Sequence, residues 1–207
     1  MNWNACIGLL AVTVIGVSAP NAAPAAEASG EMLSLTCNAC HGPGGSSHGP
    51  ATPSIAGMNA FNMEEALKAY KADTRPATVM NRIAKGYTDT EIAAIAKYFA
   101  AQELMRTPQM TDATMAEKGQ ALTRELCSDC HEKDGYDGRD YPVLAGQMMP
   151  YLNNALSDFK TGFRDLEKNP NLSAKERRKK MRNLQTLFED HGEEGVAAVV
   201  NFYGSLK

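Results

Sequence analysis

The residues most able to do chemistry come as two matching sets, Cys37-Asn38-Ala39-Cys40-His41 and Cys127-Ser128-Asp129-Cys130-His131. Two thiols three positions apart share one face of a helical turn, and the next residue directs its imidazole toward whatever they hold. That is the attachment pattern of a c-type haem, in which the thiols capture two vinyl groups and the imidazole binds iron. The sets lie 90 positions apart and use four of the five cysteines. Two covalently bound haem c groups are therefore expected, held by Cys37, Cys40, Cys127 and Cys130, with His41 and His131 on the metal. The competing chemistry is a zinc site of four thiolates. Zinc, however, needs no histidine after both pairs, and the knuckles of one ribbon usually lie much closer together. Disulfides inside each set would close tiny loops and stabilise little.

An iron that only carries electrons takes a sixth ligand opposite the histidine, and the soft thioether of Met is the usual one because it raises the reduction potential. Candidates are Met58, Met63 and Met80 in the first half, and Met148, Met149 and Met181 in the second. A proline loop follows each histidine, Pro53-Ser54-Ile55-Ala56-Gly57 and Pro142-Val143-Leu144-Ala145-Gly146. Each loop is expected on the histidine side, its proline carbonyl accepting the imidazole N–H. Met58, Met148 and Met149 adjoin these loops and so fall on the wrong face, which favours Met80 and Met181. His48 and His191 are rival ligands without a repeat partner, and read as surface histidines. Around Met181 run Lys175, Arg177, Arg178, Lys179, Lys180 and Arg182. Such a run is most often a solvated helix face, and it could equally neutralise haem carboxylates or dock an acidic partner.

Helices must position these ligands. Ile92, Ile95, Ala96 and Phe99 recur at helical spacing, as do Val196, Val199, Val200 and Tyr203, so each half ends in an amphipathic helix. Thr88 with Glu91 forms a capping box at the start of the first of these. Ala66, Leu67 and Tyr70 make a shorter stripe, matched by Leu152, Ala155, Leu156 and Phe159. No stretch alternates at period two. The expected fold is all-α: two tandem cytochrome c-type units of three or four helices, each wrapped around one haem. The boundaries are 26–105 and 116–207, with a linker at 106–115 where periodicity lapses. Gly42-Pro43-Gly44-Gly45 lacks the Lys-Ser/Thr of a phosphate loop and reads as a turn passing the haem edge.

Residues 1–25 carry no charged side chain, and the apolar run Ile7–Val17 is long enough for a signal-peptide core but too short for a bilayer span. Ala23-Pro24-Ala25 supplies an A-x-A cleavage pattern, although no Lys or Arg precedes the apolar run. Removal of 1–25 and a periplasmic location are expected; Cys6 leaves with that segment. The formal charge of -3 offers no basic field for nucleic acid, and no second apolar span follows.

Longer matches carry a resemblance: Glu31-Met32-Leu33, Met80-Asn81-Arg82-Ile83-Ala84-Lys85-Gly86-Tyr87, Leu144-Ala145-Gly146-Gln147 with Pro150-Tyr151-Leu152, and Lys179-Lys180-Met181. In these the chain resembles the dihaem cytochrome subunits of flavocytochrome c sulfide dehydrogenases and, more broadly, the cytochrome c4 family. The resemblance implies a non-catalytic electron-transfer subunit forming a heterodimer with a flavoprotein that oxidises sulfide at FAD. Electrons would leave toward a soluble acceptor such as a cytochrome. It also implies Met80 and Met181 as the distal ligands. FAD is expected only in the partner, since no strand followed by G-x-G-x-x-G occurs here. The alternatives are a free c4-like carrier to an oxidase and a dihaem peroxidase, the latter requiring an open sixth position.

Overall fold

A computed structural model describes residues 28–137, 141–167 and 172–207, and among them there is no strand. The expected signal segment lies outside the described residues. The first half contains α1 (Gly30–Ser34), α2 (Asn38–His41), a 3-10 turn at Pro43–Gly45, α3 (Ala60–Lys71), α4 (Met80–Ala84) and α5 (Asp89–Ala100). The second contains α6 (Ala113–Leu126), α7 (Glu132–Gly135), α8 (Met149–Lys160), α9 (Ala174–Glu189) and α10 (Gly192–Ser205). Among the described residues each half thus holds five α-helices rather than three or four. The additions include single turns too short to show a period, such as α4 and α7.

The halves are built alike. The last helix of each is its core: Ile92, Ile95, Ala96 and Phe99 of α5 are buried, as are Val196, Val199, Val200 and Tyr203 of α10. α3 and α8 pack against these helices, lending Leu67 to one core and Leu152 with Leu156 to the other. The first helix of each half crosses the last at a glycine. A Cβ on Gly30 would lie 2.3 Å from the Ala94 carbonyl oxygen, and one on Gly119 2.0 Å from that of Ala198. Backbones touch there because nothing projects between them.

Both long polar starts are capped alike. Thr88 and Glu91 form the expected box on α5, and Ser173 with Glu176 forms a second on α9. Residues 103–112 carry no helix, and α6 begins at Ala113 on the side-chain cap of Asp112. No described helix is long and apolar enough to cross a membrane.

Candidate functional site

Each Cys-x-x-Cys-His set closes on itself. The Cys37 carbonyl accepts from the Cys40 N–H at 3.2 Å and the His41 N–H at 2.9 Å; the Cys127 carbonyl accepts from Cys130 at 3.1 Å and His131 at 2.9 Å. Both thiols and the imidazole are thereby presented from one turn. The imidazoles are then fixed from behind: Nδ1 of His41 lies 2.8 Å from the Pro53 carbonyl oxygen, and Nδ1 of His131 lies 3.0 Å from that of Pro142. A carbonyl can only accept, so Nδ1 carries the proton and the Nε2 lone pair is left for a metal. Burial lowers the pKa of His41, and it pushes that of His131 down to about 4 with help from the Lys180 charge. Both rings are accordingly neutral at neutral pH, the form that ligates. Burial also pushes the Cys127 thiol up to about 11 and raises Cys37.

A glycine four residues after each histidine latches the proline loop in place. The Gly45 carbonyl accepts from Ile55 at 2.7 Å and Ala56 at 3.1 Å, and that of Gly135 from Leu144 at 2.9 Å and Ala145 at 3.1 Å. Their φ values are 84° and 82°, in the region that favours glycine. A Cβ would also strike Phe99 at 2.8 Å in one half and Tyr203 at 2.8 Å in the other. The glycine-rich stretch after His41 therefore serves the proline loop rather than simply passing a cofactor edge.

The methionines separate by environment. Met58 packs on the first core and Met63 belongs to it, while Met148 is buried. The Met148 methyl stands 3.1 Å from where a Gly49 Cβ would be, and Met149 lies against Gly204. Met80 is the first residue of α4, half-buried. Met181 lies in the middle of α9 and is 42% exposed, in a groove shared with Phe159, Arg164 and Leu166. His48 is exposed and lies 3.3 Å from the Thr107 hydroxyl; His191 is the N-cap of α10.

The basic run divides between solvent and interior. Lys175, Arg178 and Arg182 are exposed, and Lys179 pairs with Asp129 at 2.5 Å. Lys180 turns inward, its ammonium 4.6 Å from the Phe159 ring centre, and the Arg164 guanidinium takes the same ring at 4.6 Å. Arg75 of the first half, over Tyr70 at 4.7 Å, adds its field to both. Burial and then this mutual repulsion push Lys180 down to about 8; Arg164 is pushed to about 10 by burial first and Arg75 next. Three cations whose fields reach one another, with Asp158 as a nearby carboxylate, suit an anion. Arg82 is exposed and Lys85 pairs with Asp73 at 2.5 Å.

Among the described residues no three of His, Cys, Asp and Glu converge to hold a metal ion, so the cysteine pairs do not assemble a zinc tetrahedron. The donor set does fit covalent haem: paired thiols, a neutral imidazole with a free Nε2, and a thioether in the same half. Sequence reasoning missed the latch glycines, although their shared offset from the histidines was visible. It also missed Arg75 and Arg164, which no local pattern marks.

The cytochrome c family pattern matches residues 27–103 and again 116–207. Cytochrome c4 of Pseudomonas aeruginosa is 30% identical over 147 residues, 66% of this chain and 72% of that protein. The cytochrome subunit of sulfide dehydrogenase from Chlorobaculum tepidum is 48% identical over 80 residues, 39% of this chain and 72% of that one. The solved cytochrome c4 of Acidithiobacillus ferrooxidans superimposes with a TM-score of 0.67 at 27% identity, covering 84% of this chain and 99% of the other.

Proposed function

Since the chain belongs to the cytochrome c family, in its dihaem c4-like branch, we propose that it is the electron-transfer subunit of a periplasmic sulfide dehydrogenase. It takes electrons from a separate FAD-bearing flavoprotein and passes them to a soluble acceptor such as another cytochrome. The likeness to a sulfide dehydrogenase cytochrome subunit carries the partner assignment.

In this reading Cys37, Cys40, Cys127 and Cys130 hold two haems, His41 and His131 are proximal ligands, and Met80 and Met181 are distal. When bound, each haem supplies an iron that takes up and releases one electron. The residues around it do the rest. Pro53 and Pro142 fix each imidazole by its Nδ1 proton, so Nε2 keeps one orientation through both oxidation states. Met80 and Met181 would each offer a thioether to an iron and so raise its potential. Arg75, Arg164 and Lys180 would supply positive charge to haem carboxylates.

Two measurements test this. Met80→Ala and Met181→Ala should each turn one haem high-spin and remove about half of the sulfur-to-iron charge-transfer absorbance; a variant that keeps the full band would remove that methionine from the assignment. Purification from the native source should bring down a larger FAD-containing chain. Recovery of dihaem protein alone would favour the second reading, a free carrier to an oxidase, which the likeness to cytochrome c4 supports.

A further inference from the structure

The two proline loops meet where the halves join, and one side chain ties them together. Gln147, 2% exposed, reaches from the second loop to Ser54 of the first. The Ser54 N–H donates to Gln147 Oε1 at 2.8 Å, and Gln147 Nε2 donates to the Ser54 carbonyl at 2.9 Å. The Gln147 backbone is itself held, its N–H donating to the Leu144 carbonyl at 3.1 Å and its carbonyl accepting from Gln109 Nε2 at 3.0 Å. Met148 N–H also donates to Oε1, at 3.0 Å.

The Ser54 N–H and the Pro53 carbonyl belong to one peptide group. That carbonyl is the acceptor for His41 Nδ1 at 2.8 Å. A continuous line of bonds therefore runs from the His41 ring through the Pro53–Ser54 peptide to Gln147 in the other half. Donation by a peptide N–H polarises the group and makes its carbonyl a stronger acceptor, by some 10–30% per bond. A stronger acceptor increases the basicity of the imidazole, which favours the ferric iron. The device runs one way: Met58, packed in its own core, stands in the first loop where Gln147 stands in the second, and Val143 replaces Ser54.

We infer that Gln147 is a positioning residue for the iron centre of the opposite half, setting through Ser54 and Pro53 the strength of the His41 hydrogen bond and so the potential of the first haem relative to the second. The inference rests on the proximal role of His41 proposed above. Were that role wrong, the His41 ring protons of the unsubstituted ferric protein would show no paramagnetic shift, which separates the two failures.

The test is Gln147→Met in the full dihaem protein, copying the first loop's residue at nearly constant volume. The first potential should rise, its redox equilibrium shifting about threefold, or roughly 30 mV at 59 mV per tenfold, with the second unmoved. The His41 Nδ1 proton should exchange several-fold faster by NMR. Lower thermal stability with both potentials unchanged, or both moving together, would reduce Gln147 to a structural clamp and overturn the inference. If Gln147→Met fails to take up haem, Gln147→Glu decides, because it keeps the acceptor for Ser54. A first potential at or below the unsubstituted value supports the role, and a raised one defeats it.

Discussion

The two halves share the frame behind each histidine and differ in how they carry the methionine proposed as its counterpart. Behind each histidine stand the same parts: a proline carbonyl, a latch glycine four residues on, and a last helix whose carbonyl holds the loop's end, Phe99 to Gly57 at 2.9 Å and Tyr203 to Gly146 at 2.8 Å. The methionines proposed as ligands are carried differently: Met80 opens a helix of 5 residues, whereas Met181 sits mid-way along one of 16. α4 is too short to hold itself by its own hydrogen bonds, so its position depends on neighbours. Asn81 supplies them, donating to the Tyr70 and Arg75 carbonyls at 2.9 Å each. α9 instead lies along the second core through Leu187. The difference teaches that the imidazole is held by one repeated geometry, while the proposed ligation asks a flexible thioether to come from a short turn in one half and a long helix in the other.

The largest effect separating the halves should come from the helix crossings. Gly119→Ala gains about 1 kcal/mol of helix propensity but forces α6 off α10, an overpacking cost of about 3 kcal/mol, so a net loss near 2 kcal/mol is expected in denaturant titration. Gly30→Ala meets the same obstacle on a helix of only 5 residues, which can shift more easily, and should lose about half as much. Equal losses would break the contrast.

Next comes the distal anchor. Asn81→Ala removes both of these bonds, leaving the Tyr70 carbonyl to the Asp73 N–H at 3.1 Å, and should cost about 2 kcal/mol, loosening Met80 while the Met181 signal stays intact. Asn183→Ala removes one bond, to the Leu126 carbonyl at 2.6 Å, and should cost about 1 kcal/mol without altering Met181 ligation, because α9 holds itself. Loss of Met181 ligation in that variant would show the long helix to be no more self-sufficient than the short one.

The smallest effect is at the caps. Glu176 is held at about 2, below its ordinary 4.5, first by the Ser173 hydroxyl, then by Tyr141 and the Ser173 N–H. A depressed carboxylate stabilises above its unfolded value and loses that contribution as pH falls toward the folded one. Between pH 4.5 and 2 the first turn of α9 should therefore open, seen as faster amide exchange. Glu91 on α5 is lowered as well, by the Thr88 backbone N–H first, but lacks the tyrosine bond of 2.6 Å that ties Glu176 to Tyr141. Ser173→Ala should cost about 1 kcal/mol and move the opening to higher pH. Identical acid profiles for α5 and α9 would remove Tyr141 from the account.

Much of the proximal side could be read directly. Cys-x-x-Cys-His occupies one turn, the proline loop follows within 12 residues, and the periodicity of α5 and α10 is strong enough to name their buried faces. α4 and α7 escaped notice because a single turn has no period to detect. Lys180 could not be told from its basic neighbours, since only the packing of Phe159 against α9 distinguishes the inward residue from the outward ones.

The sequence by itself determined how each Cys-x-x-Cys-His set is presented, because thiols, imidazole and proline carbonyl meet through contacts local enough for spacing to imply geometry. Tertiary structure alone decided what joins the centres. Gln147 and Ser54 lie 93 residues apart, and Arg75 comes from a different half than Arg164 and Lys180. Contacts of that separation depend on how two folded cores dock, and no local pattern of residues encodes the docking.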